Sequence, residues 1–177
     1  MRTKLTLALM LVGALALAAP RAARADAFFT PFIGATFGAD APATEPTYGF
    51  ALGGMAGGIF GIEGEFAYTP NFFAAGSGVT SSHLMTLMGN VLVGAPLGAF
   101  RPYVTAGLGM IRQGADLSAS GVLTNLSSND FGINGGAGAR LMFSDHVGLR
   151  GDVRYFKVRK SGGLAFWRGY GGLNLSW

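Results

Sequence analysis

The stretch NDFGINGGAGARLMFSDHVGLRGDVRYFKV, residues 129–158, carries two runs of alternating side chains around one polar turn. In the first run Phe131, Ile133, Ala137, Ala139, Leu141 and Phe143 share one parity, and Gly132, Asn134, Gly136, Gly138 and Arg140 take the other. In the second, Val147, Leu149, Val153 and Tyr155 stand against Arg150, Asp152 and Arg154. A period of two is the signature of a β-strand with unequal faces. The short polar link Ser144-Asp145-His146 makes the two runs an antiparallel hairpin.

The same alternation recurs outward along the chain, in eight segments at roughly 28–38, 47–57, 59–69, 82–94, 101–112, 130–142, 146–158 and 167–177. The gaps at 39–46, 70–81, 113–129 and 159–166 are long and polar or small, whereas those near 58, at 95–100 and at 143–145 are short. Long and short links in turn describe a closed up-and-down meander with its long loops at one end. The third segment sets Phe60, Ile62, Phe66 and Tyr68 against Gly61, Glu63, Glu65 and Ala67. The eighth sets Trp167, Leu173, Leu175 and Trp177 against Arg168, Tyr170, Asn174 and Ser176. The first and fourth are less clean, because Phe32, Leu84, Met88 and Leu92 fall on the polar side.

Composition narrows the class. Only 12% of the 177 residues are charged, against about 25% in an average soluble domain. Thirty glycines are compatible with disorder, but 14 Phe, 5 Tyr, 2 Trp and 50% hydrophobic residues exclude it. The absence of Cys excludes disulfides and thiolate metal sites. Residues 1–25 read as a secretory signal peptide: a basic head with Arg2 and Lys4, an apolar run from Leu5 to Ala19, and an Ala23-Arg24-Ala25 cleavage pattern. That run falls short of the ~20 residues of a spanning helix. Residues 26–177 then form one barrel domain. Cleavage removes four basic residues and no acids, leaving nine of each. The positive charge of the whole chain therefore belongs to the leader and gives no argument for nucleic acid.

Alternation alone leaves open which face is inside. A soluble ligand-binding barrel turns its apolar face inward, whereas a membrane barrel turns it to lipid and keeps a polar lumen. The polar faces here are mostly Gly, Ala, Thr, Ser and Asn, a poor exterior in water. Eight strands enclose a space that side chains just fill, and inward glycine makes room there for large polar groups. With the export leader, these features favour an eight-stranded antiparallel up-and-down transmembrane β-barrel, whose closure leaves no sheet edge in lipid.

Residues 129–158 resemble the sixth and seventh strands of small OmpA/OmpX-like outer-membrane β-barrels, with a glycine-rich strand, a Ser-Asp turn and an Arg-x-Asp-x-Arg-Tyr strand in that order. RPYVTAGLGM (101–110) is similar to their fifth strand, and the terminal GYGGLNLSW to their C-terminal assembly signal. The family usually ends in Phe, and Trp177 departs from this while remaining aromatic. The resemblance implies the outer membrane of a diderm bacterium, contact with its lipid, and recognition of Leu173, Leu175 and Trp177 by the barrel-assembly machinery. It covers essentially the whole of 26–177 and specifies a fold rather than a chemistry.

Strand counting places a charge cluster in the lumen. In an eight-stranded barrel the third and seventh strands face each other, so Glu63 and Glu65 confront Arg150, Asp152 and Arg154, with Arg140 nearby on the sixth. So narrow a space favours pairing of these charges; the alternative is a solvated interior in which each finds only water. No other constellation points to chemistry. His83 follows Ser81-Ser82 near the long-loop rim, but it has the lipid-facing parity and no acid near it in sequence. His146 is a turn residue, and Asp116 and Asp130 are isolated acids that make a weak case for a cation. No catalytic residue, cofactor or metal is expected. Phe72 and Phe73 read as exposed aromatics, in the interfacial girdle or in a contact patch, and 113–129 reads as a mobile loop. Three functional classes follow: a non-enzymatic envelope protein with loops for a surface ligand or adhesion partner, a narrow channel or transporter for small or hydrophobic molecules, and a lipid-modifying enzyme.

Overall fold

The computed structural model describes residues 25–41, 43–72, 79–119, 122–160 and 162–177. Its strands are β1 (Ala25–Phe37), β2 (Glu45–Ala56), β3 (Phe60–Pro70), β4 (Val79–Gly94), β5 (Phe100–Ala119), β6 (Val122–Met142), β7 (Val147–Val158) and β8 (Ala165–Ser176). They close into one barrel in sequence order. Each strand pairs antiparallel with the next, and β1 closes on β8 with Phe28 opposite Ser176. The eight expected segments are thus eight strands. The expected leader lies outside the described residues except for Ala25, which opens β1.

Chemistry at the short-link end explains the turns. Gly57 and Gly58 both have positive φ, 59° and 71°, and the Ile59 amide donates to the Ala56 carbonyl at 3.1 Å. Two such residues make the turn whose twist matches the flanking strands, and L-residues with a β-carbon resist it. Between β6 and β7 the Ser144 hydroxyl accepts from the Val147 amide at 3.1 Å.

The third link differs from expectation. Most of 113–129 is strand: β5 and β6 stay in register from Phe100 opposite Leu141 to Ala119 opposite Val122, leaving only 120–121 between them. A ribbon that emerges into water satisfies its inner backbone groups pairwise and needs no apolar face. The Ser, Asn and Thr that make a sequence look like a loop therefore suit it equally.

The faces fall as the alternation requires. Ile62 is 71% exposed and Phe60 65%, and Val147, Leu149, Val153 and Leu173 also point outward and exposed. Phe66, Tyr155 and Leu175 share this parity but are partly covered; Phe66 lies 5.7 Å from the Phe50 ring, and Tyr155 5.1 Å from Trp167. An apolar band faces outward all round. The soluble reading, which needs that face inside, does not fit.

The core is the lumen, and it is layered. Phe28, Met55, Leu92 and Tyr103 form an apolar cluster toward the short-turn end. Phe72, Leu84, Met88, Ile111, Phe156, Val158 and Phe166 form another toward the long-loop end. The irregular residues Phe32, Leu84, Met88 and Leu92 are therefore interior packing, not faults in the alternation. Phe72 corrects the expectation of an exposed aromatic. It is fully buried, its ring edge-on to Phe166 at 5.7 Å, because the chain leaving β3 turns it into the barrel. Phe73 lies outside the described residues.

An outward band in contact with lipid makes a depth-dependent prediction. Val153→Arg, at the centre of β7, should destabilise the refolded protein by about 2–4 kcal/mol in urea unfolding from lipid vesicles, and Phe143→Arg, beside the short turn, by about 1 kcal/mol or less.

Candidate functional site

Between the two apolar layers lies a belt of buried charge. It is built on β3, β7 and β8 because inward parity and strand order set those side chains against one another across the lumen. Glu63 meets Arg150 at 2.5 Å and Arg154 at 2.9 Å. Glu65 meets Arg154 at 3.1 Å. Asp152 lies between the two arginines of its own strand, 3.2 Å from Arg150 and 2.7 Å from Arg154. All five of these side chains are fully enclosed.

Neutral groups complete the coordination. Asn90 of β4 donates to Glu63 at 2.9 Å, and Asn134 of β6 donates to Asn90 at 2.8 Å. Arg150 Nε donates to the Tyr103 hydroxyl at 2.6 Å, which in turn donates to Asp152. The Tyr170 hydroxyl donates to Glu65 at 3.2 Å, and its ring stacks on Phe32 with centroids 4.0 Å apart. Six strands, β3 to β8, thus contribute to one connected network.

Glycine makes the space. A β-carbon at Gly138 would collide with the Tyr103 hydroxyl, one at Gly107 with the Asn90 amide, and one at Gly136 with Arg154 and the β7 backbone. Tyr103, Asn90 and Arg154 each lie over a neighbouring strand's bare backbone.

Two arginines depart from the expected cluster. Arg168, outside it in the sequence reading, pairs with Glu65, donates to the Thr86 hydroxyl at 2.9 Å, and has its guanidinium 4.3 Å from the Phe156 ring centroid. Its signal was its inward parity on the eighth segment, together with a register that sets it beside Arg154. Arg140, placed in the cluster by sequence, has no carboxylate within ion-pair reach among the described residues. It lies over the Phe28 ring at 4.7 Å and donates toward the Met55 sulfur. Three carboxylates serve three other arginines, and Arg140 is the fourth.

The remaining candidates are scattered. His83 points outward beside Tyr68, with ring centroids 6.0 Å apart, and packs over Gly114. Asp130 accepts from Lys160 at 2.7 Å and from Ser128 at 2.6 Å; the Asp116 side chain lies outside the described residues. His146 is an exposed turn residue. No group of three metal-ligating side chains occurs among the described residues. At the C-terminus Leu173, Leu175 and Trp177 take the outward parity, with Trp177 66% exposed.

Comparison with known proteins agrees with this architecture. Neisserial surface protein A superposes with a TM-score of 0.69 at 14% identity, over 84% of this chain and 96% of that one. Pseudomonas aeruginosa OprG gives 0.60 at 14% identity over 88% and 97%, and the N-terminal barrel of P. aeruginosa OprF gives 0.58 at 18% over 86% and 97%. No curated protein sequence matches significantly. The model of the outer membrane protein beta-barrel domain matches residues 5–175. The chain belongs to that family, and its place is the bacterial outer membrane.

Proposed function

We propose that this chain is a non-enzymatic integral protein of the outer membrane, a lipid-embedded barrel that contributes to the envelope and offers its loops to a surface ligand or adhesion partner. The observation that carries this reading is the filled lumen, with a hydrogen-bonded belt of six charges between two apolar layers. Among the described residues the belt side chains are fully enclosed and engaged with one another, which supports a plug over a water-filled channel. Its role on this reading is structural: Glu63, Glu65, Asp152, Arg150, Arg154 and Arg168 plug the barrel and brace opposite walls. Residues 1–25 serve as the export leader, with Asp26 the first residue after cleavage. The outward Leu173, Leu175 and Trp177 serve the barrel-assembly machinery before β8 closes on β1.

Two measurements test this. In planar bilayers the refolded protein should show no stable ion-conducting steps; a steady open level would make it a channel. In urea unfolding, Arg150→Ala should cost about 3–5 kcal/mol, because it leaves Glu63 and Asp152 short of a buried counter-charge. A loss below about 1 kcal/mol, the range of an exposed pair, would mean that water reaches the belt.

A further inference from the structure

Three arginines stand in one register row of the lumen wall. Arg101 of β5 lies opposite Arg140 of β6, which lies opposite Arg150 of β7. Adjacent strands are about 4.8 Å apart, and like charges directly opposite are destabilising. Arg150 is neutralised by two buried carboxylates, Glu63 and Asp152. Arg101 has a loose contact of 3.8 Å with Asp26, which reaches over from β1, and its side chain is 30% exposed. Arg140 is 4% exposed, and its Nε has no hydrogen-bond partner among the described residues. The rings of Phe28 and Tyr103 face it, at 4.7 and 5.6 Å, and supply no acceptor for that N–H. The row sits where β5 begins and β6 ends, at the short-turn, periplasmic mouth.

We propose that this mouth binds a phosphate-type oxyanion between Arg101 and Arg140. A buried guanidinium edge with an idle N–H needs an acceptor, and a planar fork matches an oxyanion's paired oxygens better than a spherical ion. Arg101 stands open to the periplasm and captures the anion. Arg140 lies behind it and supplies the desolvated, stronger contact. The anion removes the repulsion along the row and offsets the one positive charge in excess of the lumen carboxylates. Inorganic phosphate and the phosphodiester of an inner-leaflet lipid share this chemistry.

Arginine side-chain NMR on the refolded full barrel reads the site directly. In a phosphate-free detergent, the Nε–H signals of Arg101 and Arg140 should shift together on titration with inorganic phosphate, with one saturation constant, at fixed ionic strength set by sodium chloride. Arg168 should not move. Arg140→Met and Arg101→Met should each weaken the binding about tenfold or more, as expected for loss of a charged hydrogen bond. Arg101→Met serves alone if the Arg140 variant does not fold. Saturation by phosphatidylglycerol in bicelles, with none by free phosphate, would support the site and assign it to the lipid headgroup. Unmoved or unsaturable signals with both probes, or unchanged affinity in the variants, would overturn the proposal and leave Arg140 held by its ring and Met55 contacts.

Discussion

Hydrocarbon offers a peptide backbone nothing to hydrogen-bond with, and this structure is arranged around that fact. Each strand must find partners on both sides, so the sheet has to close. With eight strands the closed wall encloses only about as much space as side chains can fill. Inward residues are then packed as a core, and outward ones are selected for contact with lipid. Both consequences are visible along β7, where Val147, Leu149 and Val153 face out and Arg150, Asp152 and Arg154 are enclosed.

A narrow lumen also dictates what can be put in it. Long polar side chains from opposite walls meet end to end, and they fit only because the strands beside them carry glycine. Gly107, Gly136 and Gly138 line the wall under Asn90, Arg154 and Tyr103. The high glycine content is therefore a packing property of a barrel core, not a sign of flexibility. Charge buried this deeply must be matched, and the belt matches it: Glu63, Glu65 and Asp152 against Arg150, Arg154 and Arg168.

The architecture was legible in the sequence because each part of it leaves a periodic trace. Alternation gave the strands, link lengths gave the meander, and parity gave the faces. The confrontation of β3 with β7 followed from counting strands, and Glu63 does lie 2.5 Å from Arg150. What could not be read was how three carboxylates are shared among four enclosed arginines. Arg168 takes Glu65 and leaves Arg140 without an acid, an outcome decided by side-chain reach and not by parity. The extent of β5 and β6 was hidden for a different reason, since a polar ribbon in water and a loop draw on the same residues. Phe72 was misplaced because link residues carry no periodicity to say which way they turn.

The belt also bears on register. Because the side-chain period is two, a slip of one residue between neighbouring strands turns every inward group outward. Elsewhere on the wall the inward glycine, alanine and threonine would tolerate lipid, and the cost of a slip would come from the large outward side chains turned into a filled lumen. Along β7 a slip would drive Arg150 and Arg154 into the acyl chains, where a basic residue costs about 2–4 kcal/mol near the midplane. Asp152 would follow them, Glu63 would lose both of its arginines, and Glu65 would lose one of its two. A slip of β8 would move Arg168 in the same way and break its pairing with Glu65. The buried charges thus add to the steric penalty that the filled lumen already sets against misaligned barrels. Buried ion pairs are often no more stabilising than apolar replacements of the same volume. An apolar belt would fill this lumen as well, but it would also be at home in lipid, and so would add no penalty of its own against the shifted register.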